Sequence, residues 1–451
     1  MKKTLFLLVL TSFFIRIPFI TWFTAERTDS IILITLFQNR TSFWPPLYTL
    51  FLHLFHPLFK DWIISGRWVS ILSGSLAVIP LYLLARKTFH PTTALYASLL
   101  YLVSPLIFRF NLNVLTDSLF LLLFLSSFYF FLQSLQTEST FSLFWFPFLS
   151  GLATLTRYQG IIFLPFILFL LLRKESRKLP LLSGLVSWIL VILWILHRGF
   201  AHISQYGERM AGMNLREFIL WGECFILSFA YVITYPVFLF AIYTFFHPPL
   251  EKEKRIFLLL TLAIFLVWLP THIFFHSFQL RYFLPLIPLF LVIAGEGIRM
   301  VKFSKYWFIL CMLISVLLAS LTLYFQKDSF GDIKRSAEWV RRNLSVPYVY
   351  SDEYWKTSFW SGKEVRPLKG KVKEGDILII HSGYSNIKKV FNFLGQKYHY
   401  SILYSTQSRI LPLLPDILSP PTLSNSPYWM ILKYTPQTFS SFVIEIKEVK
   451  K

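Results

Sequence analysis

The chain has 451 residues, of which 55% are hydrophobic, 19% aromatic and 15% charged, and its formal net charge is +21. A soluble domain usually carries about 25% charged residues, so this composition excludes most classes of soluble protein. The basic residues lie in short clusters between apolar runs and are not gathered on a polar face, as nucleic-acid binding requires. The composition therefore predicts a polytopic membrane protein that has no nucleic-acid partner.

Apolar runs that approach the roughly 20 residues of a spanning helix recur through the first part of the chain. Lys2 and Lys3 precede the first run and no small-residue cleavage site follows it, which favours a retained signal anchor. The runs predict eleven membrane helices, at residues 4–20, 68–86, 92–108, 118–135, 143–156, 160–173, 180–197, 226–246, 256–275, 283–298 and 306–325.

The loops between these runs differ in charge. Basic clusters occupy alternate loops, at Lys2–Lys3, Arg86–Lys87, Arg173–Lys178, Lys252–Arg255 and Arg299–Lys305. The positive-inside rule makes these loops cytoplasmic. The amino terminus is then predicted in the cytoplasm, with the protein in the cytoplasmic (inner) membrane, and eleven spans place the carboxyl-terminal residues outside.

The last part of the chain has a different pattern. We predict that residues 1–326 form the membrane domain and that residues 327–451 form a small extracytoplasmic α/β domain. Two βα repeats predict a partly parallel sheet. The elements are a helix at Asp332–Asn343, strands at Tyr348–Ser351 and Asp376–His381, a helix near Asn386–Leu394 and a loop over Leu411–Pro427.

Charges close to the apolar slab are informative, because each costs about 2.5–3.5 kcal/mol at a helix centre and is kept when paired or functional. The predicted topology places Glu26 and Asp29 in the first outer loop and Asp117 at the start of a span. At the outer ends of spans it places Arg109, Arg157 and Arg281. Sugar transfer from a lipid phosphate to a hydroxyl needs a carboxylate base and a cation that holds the departing phosphate, and arginine suits the second role.

Each of these residues also has an ordinary structural interpretation. Asp29 is then a solvated loop acid, Asp117 a helix N-cap, and the arginines interfacial snorkelling residues. The spacing of two histidine pairs, His53/His56 and His272/His276, is helical, but packing is favoured over metal binding for them. Cys224 and Cys311 lie in separate apolar runs and indicate no disulfide framework.

Five stretches in chain order resemble the GT-C superfamily of polyprenyl-phosphate-sugar-dependent glycosyltransferases, in the protein mannosyltransferase and lipid A aminoarabinose transferase branch. The closing segments AEWVRRN and YVYSD also look like the outer domain of bacterial members. The stretches begin at Thr28 (with Pro45-Pro46-Leu47), Gly66 (GRWVSILSG), Ser104 (SPLIFRFNLNVLTDS), Gly151 (GLATLTRYQG) and Arg281 (RYFLPLIPL).

This resemblance implies roles for individual residues. Asp29 matches the first-loop acid that acts as the catalytic base, although Glu26 is an alternative because the family's adjacent acidic pair is absent here. Asp117 matches the second-loop acid, and Arg281 with Tyr282 matches a ligand of the donor phosphate. Two further arginines, Arg157 and Arg67, match recurrent positions, and Arg109 is grouped with them as a phosphate-binding candidate.

The implied function is transfer of a sugar from a polyprenyl-phosphate donor to a glycan, lipid or protein hydroxyl, with inversion, at the outer face of the cytoplasmic membrane. The sequence requires no cofactor and leaves a divalent metal undecided. Two other classes stay open: a transporter or flippase of lipid-linked or small solutes, and a non-catalytic subunit of envelope assembly.

Overall fold

A computed structural model describes residues 1–38, 44–137, 139–173, 178–198, 215–248, 251–274, 280–368, 372–382, 386–410 and 437–450. These residues form two compact units. The first contains residues 1–20 and 44–322, and the second contains residues 21–38, 323–410 and 437–450. The division differs from the predicted domains in one respect, because the first-loop residues 21–38 pack with the carboxyl-terminal residues. The predicted boundary at residue 326 stays a prediction.

Helices dominate the described chain, and short 3₁₀ turns occur at Ile17–Phe19, Tyr158–Phe163 and Leu280–Phe283. In chain order the helices are α1 (Lys2–Phe14), α2 (Thr28–Gln38), α3 (Leu47–Phe59), α4 (Trp62–Leu76), α5 (Val78–Thr88), α6 (Pro91–Val103), α7 (Pro105–Phe110), α8 (Asp117–Thr137), α9 (Thr140–Thr154), α10 (Leu164–Leu172), α11 (Lys178–Gly184), α12 (Val186–Arg198), α13 (Leu215–Ile233), α14 (Tyr235–Phe246), α15 (Lys252–Phe274), α16 (Leu286–Met300), α17 (Ser304–Gln326), α18 (Gly331–Asn343), α19 (Tyr354–Ser361) and α20 (Ile387–Lys397).

Five helical segments in the described ranges are long and apolar enough to cross a membrane. They are Trp62–Thr88, Asp117–Thr137, Lys178–His197, Lys252–Thr271 and Ser304–Asn343. A sixth span results if Phe225–Ile233 and Tyr235–Phe246, which meet at 109°, are taken as one. That break falls at Thr234, which has a φ of +79°, and Pro236 follows in the first turn of α14.

The predicted count of eleven spans is not confirmed. Several predicted runs are interrupted helices: run 92–108 divides into α6 and α7 at Ser104, and run 160–173 begins as a 3₁₀ turn. Pro105 and Pro165 stand in the first turns that follow these breaks. Proline has no backbone N–H and disfavours helix in the residue before it, so a continuous apolar run does not guarantee a continuous helix.

Helix α16 forms the centre of the first unit, since every residue from Leu286 to Ile298 is buried. It packs against α6 and α14. Near its carboxyl end the buried Glu296 accepts hydrogen bonds from Thr93 Oγ1 at 2.6 Å and from Arg299 at 2.8 Å, and Lys254 Nζ lies 3.4 Å away. This ion-pair network joins α6, α15 and α16, because a buried charge is stable only with such partners.

The second unit contains a five-stranded sheet in the order β2-β1-β3-β5-β4. The strands are β1 (Tyr348–Ser351), β2 (Glu364–Pro367), β3 (Ile377–His381), β4 (Tyr398–Ile410) and β5 (Gln437–Val449). β1 is parallel to β2 and β3, whereas β5 is antiparallel to β3 and β4. The prediction of a small α/β unit with a partly parallel sheet is confirmed.

Both faces of this sheet are covered. On one face Val340 of α18 packs with Val349 and Ile379, and on the other Leu394 of α20 packs with Leu378 and Ile380. The alternation of side chains along a strand sends neighbouring residues to opposite faces. The predicted helix at 332–343 and strand at 348–351 match α18 and β1, and the predicted loop 411–427 lies outside the described residues.

Polar side chains are buried where the parallel strands end. His381 Nε2 lies 2.6 Å from Asp332 Oδ2, and Ser408 donates to Asp332 Oδ1 at 2.8 Å. Glu353 caps α19 by accepting from the Lys356 N–H at 2.6 Å. Burial raises the pKa of Glu353, and the Lys356 ammonium only partly opposes this. The contacts of Asp332 join α18 to β3 and β4, and the Glu353 cap stabilises the start of α19.

Candidate functional site

The first unit holds a buried ion pair between two of the predicted site residues. Asp117 is the first residue of α8, and Arg157 directly precedes the 3₁₀ turn Tyr158–Phe163. Arg157 Nη1 donates to Asp117 Oδ1, and its Nε donates to Gln159 Oε1 at 3.2 Å. The side chains of Asp117 and Arg157 are 3% and 9% exposed. The pair therefore joins two segments 40 residues apart inside the protein.

A second arginine lies around the same aromatic ring. Arg157 Cζ is 5.5 Å and Arg281 Cζ is 5.6 Å from the centroid of the Tyr282 ring, within the range of cation–π attraction. Trp268 Nε1 donates to the Tyr282 carbonyl at 2.8 Å, which ties the 3₁₀ turn Leu280–Phe283 to α15. We call Asp117, Arg157, Arg281 and Tyr282 the Asp117 cluster.

The Asp117 cluster has an incomplete hydrogen-bond set. Asp117 Oδ2 is buried without a hydrogen-bond partner in the part of the chain that the structure describes. An unsatisfied buried oxygen costs about 1–3 kcal/mol, and a bound hydroxyl or water removes that cost. The Arg157 guanidinium beside Asp117, with Arg281 at the same Tyr282 ring, is an arrangement that can bind a phosphate and orient a hydroxyl next to it.

The other two candidate arginines have separate described contacts. Arg67 of α4 is buried and donates to the Ile20 carbonyl at 2.6 Å, at the end of the 3₁₀ turn after α1. Arg109 of α7 is buried and lies with its Cζ 5.4 Å from the Phe110 ring. Both remain phosphate-binding candidates.

The sequence reasoning missed Arg16. It is fully buried at the end of α1, donates to the Ser12 carbonyl and hydroxyl at 2.6 Å, and lies 5.1 Å from the Phe108 ring. The signal was present, because Arg16 is the charge inside the apolar run 4–20. A charge in such a run marks a partnered or functional residue.

The two first-loop acids belong to the second unit. Glu26 is 1% exposed, and Asp29 is half-buried in the first turn of α2. The helix macrodipole favours a negative charge at that position. The structure therefore places Asp29 and Glu26 in one compact unit and the Asp117 cluster in the other, and the choice of base between the two acids stays open.

The histidines near the first loop are packed against an aromatic ring. His53 lies 5.4 Å from Trp62, and His56 stacks on the same ring at 3.7 Å. Neither the His272 side chain nor His276 is among the described residues. Within the described ranges, no group of three or more His, Cys, Asp or Glu residues could hold a metal ion.

An apolar cavity of about 650 Å³ lies between α10 and α12 in the first unit. Its lining residues include Leu164, Leu168, Trp188 and Ile192. Leu164 directly follows the 3₁₀ turn that Arg157 precedes. The cavity can therefore receive a hydrocarbon chain. A larger cavity of about 730 Å³ is lined by residues near the carboxyl ends of α8 and α10, including Gln136 and Arg173.

We expect the Asp117–Arg157 pair to behave as one unit in stability measurements. Asp117→Asn or Arg157→Gln alone leaves a buried charge uncompensated, which costs about 3–5 kcal/mol. The double variant removes both charges, so its loss is expected to be smaller than the sum of the two. Thermal unfolding of the three variants and the parent in one detergent measures this, and strictly additive losses would contradict the pairing.

Comparisons with known proteins give a family match and a fold. Residues 44–197 match the sequence model of the dolichyl-phosphate-mannose-protein mannosyltransferase family. The fold is similar to that of ArnT from Cupriavidus metallidurans bound to undecaprenyl phosphate, with a TM-score of 0.60 and 14% identity over 89% of this chain and 95% of that chain. The apo form of ArnT matches with a TM-score of 0.57 and 13% identity over 87% and 95% of the two chains. A search of curated protein sequences found no match.

These findings confirm the resemblance to the GT-C superfamily. The chain is a multi-pass α-helical membrane protein of GT-C fold with a small α/β sheet unit. The family match at 44–197 includes Asp117 and Arg157, whereas Glu26, Asp29 and Arg281 lie outside it.

Proposed function

From the GT-C fold and the Asp117 cluster, we propose that the chain is a membrane glycosyltransferase that moves a sugar from a polyprenyl-phosphate donor to a hydroxyl acceptor. The observation that carries the proposal is the convergence of Asp117, Arg157, Arg281 and Tyr282 from three separate segments. The two arginines near the Tyr282 ring can bind an anionic phosphate, and the Asp117 carboxylate can accept a hydrogen bond from a hydroxyl. ArnT was solved bound to undecaprenyl phosphate, which supports a polyprenyl phosphate as the lipid.

The phosphate and the hydrocarbon chain of the donor lipid bind to two different parts of the first unit. Arg281 and Arg157 bind the phosphate oxygens through their planar guanidinium groups, and Tyr282 holds both groups by cation–π attraction. The apolar cavity between α10 and α12 receives part of the polyprenyl chain. Burying a hydrocarbon chain contributes about 0.8 kcal/mol per CH₂ group, so the tail supplies affinity while the phosphate fixes the position of the sugar.

The reaction is a single displacement at the anomeric carbon. Asp29 or Glu26 accepts the proton of the acceptor hydroxyl as its oxygen forms the new bond to that carbon. The bond from the anomeric carbon to the donor phosphate oxygen breaks, and its electron pair leaves on the lipid phosphate. Arg281 and Arg157 stabilise the charge that develops there. Attack from the face opposite the phosphate inverts the anomeric centre.

The positive-inside pattern supports the placement of this reaction. The amino terminus then lies in the cytoplasm, and the acids and arginines of the outer loops lie at the outer face of the cytoplasmic membrane, with the α/β domain. The acceptor is a glycan, lipid or protein hydroxyl.

A transfer assay tests the function. Purified full-length protein is given a panel of undecaprenyl-phosphate sugars with labelled sugar, together with a membrane lipid and glycan extract as acceptor. We expect one donor to release undecaprenyl phosphate and to label a new product. Movement of an intact donor across a proteoliposome bilayer, with no labelled product from any donor, would instead identify a flippase.

A further inference from the structure

We propose that the end of α17 and the start of α18 hold the segment that carries Asp29 in place, with Lys334 as its positioning residue. The inference rests on the proposed function, because it assigns a purpose to the geometry around the proposed base. All the contacts that carry it lie within the second unit.

Both backbone groups of Thr24, five residues before Asp29, are bound by this part of the chain. The Thr24 N–H donates to the Lys327 carbonyl at 2.9 Å, and Lys334 Nζ donates to the Thr24 carbonyl at 2.9 Å. Trp22 Nε1 adds a bond to the Leu323 carbonyl at 2.9 Å, and Lys327 Nζ lies 4.4 Å from the Trp22 ring. The segment before α2 is thus bound at Trp22 and at Thr24.

The turn between α17 and α18, which supplies partners for these bonds, is itself held by further contacts. Arg335 donates to both oxygens of Asp328, at 2.8 and 2.9 Å, and to the Gln407 carbonyl of β4 at 2.7 Å. Gly331 allows the close turn, since a Cβ there would lie 2.0 Å from Asp328 Oδ1. A bidentate pair of this kind fixes direction as well as distance. The turn 327–331 is therefore held against the sheet.

Lys334 also contacts the helix on which α2 rests. Its Nζ lies 4.4 Å from the Trp360 ring of α19, and α2 packs against α19. The Lys334 ammonium group, on α18, thus contacts both α19 and the segment that precedes α2. Its side chain is 25% exposed and its Nζ lies 4.0 Å from Glu338. Because Asp29 is in the first turn of α2, moving Thr24 moves the carboxylate.

The test compares three variants of the full-length protein. Lys334→Met keeps the long stem and removes the ammonium group. We expect faster amide hydrogen exchange in residues 22–38 and a fall in kcat of about tenfold or more, with little change in donor KM, since small misplacements of a reacting group are costly. Lys334→Arg keeps a charged donor and is expected to restore both the slow amide exchange of residues 22–38 and the kcat. Arg342→Met removes an exposed charge that faces the same Glu338 and serves as the control.

The possible results separate this inference from the function itself. Unchanged exchange at residues 22–38 in Lys334→Met would overturn the positioning role, as would faster exchange without a fall in kcat. An equal increase in amide exchange in β3 would also overturn the positioning role, because such an increase indicates general destabilisation of the unit. If Asp29→Asn abolishes transfer while Lys334→Met does not affect it, only the positioning role fails. If neither variant affects transfer, Asp29 is not the base, and the role of Lys334 in placing it fails as well.

Discussion

Asp29→Asn is expected to reduce sugar transfer by about 10²–10⁴-fold, the contribution of a positioned general base. Asparagine has nearly the same shape and cannot accept the acceptor proton. Because the donor phosphate binds elsewhere in the proposal, the affinity for undecaprenyl phosphate is expected to stay unchanged. Single-turnover transfer with saturating donor measures the chemical step, and equilibrium binding of the lipid phosphate measures the affinity.

Glu26→Gln, made in parallel, decides between the two first-loop acids. A loss in Glu26→Gln that equals or exceeds the loss in Asp29→Asn would assign the base to Glu26. Glu374→Gln is the matched control, since Glu374 is an exposed carboxylate in the same unit and its change is expected to have no effect. Full transfer by both loop variants would remove the first-loop acids from the mechanism.

Local patterns predicted those parts of the fold that depend on near neighbours. The helical spacing of Ile333, Ala337 and Trp339/Val340 predicts α18, and of these residues Ile333, Ala337 and Val340 are buried in the structure. The strand at 348–351 was likewise marked by its β-forming residues. In both cases the periodicity of the element can be read from a short continuous stretch of residues. The predicted and observed boundaries therefore agree to within one residue.

Long-range packing left no such pattern. Thr24 contacts Lys327 and Lys334, about three hundred residues along the chain, and nothing local in residues 21–38 indicates that they pack with the carboxyl-terminal unit. Similarly, β4 and β5 are long antiparallel strands whose pairing depends on register between distant segments. Contacts of this kind are decided by the whole fold and not by the propensity of the segment.

The candidate site was partly predictable for an electrostatic reason. Opposite charges in apolar surroundings need partners, so Asp117 and Arg157 were marked as functional candidates by their position near the slab. Their direct pairing was not predicted, because sequence separation gives no distance. The closeness of both Arg157 and Arg281 to the Tyr282 ring was not predicted either, since it depends on how the 3₁₀ turn before α16 packs near the segment of Arg157, a contact between distant parts of the chain.

Arg281→Gln is expected to lower transfer by about 10²–10³-fold, the loss that follows removal of one group that stabilises developing charge. Glutamine keeps hydrogen-bonding capacity but has no positive charge. The lipid phosphate carries more negative charge as the sugar departs, so the arginine contributes more in the transition state than in the ground state. Binding of undecaprenyl phosphate should weaken by a smaller factor, about 10-fold to 100-fold, which is the range of a charged hydrogen bond.

Kinetics on the same preparation separate Arg281 from a structural residue. Arg281→Lys retains the charge without the planar fork and is expected to recover part of the lost kcat. Lys305→Gln removes an exposed charge and controls for the change in net charge. Because a guanidinium group that binds phosphate acts on the donor, kcat and donor affinity should fall together in Arg281→Gln while unfolding temperature changes little. An unchanged affinity for undecaprenyl phosphate would contradict the role of Arg281 as a phosphate ligand and would leave Arg157 as the candidate for that role.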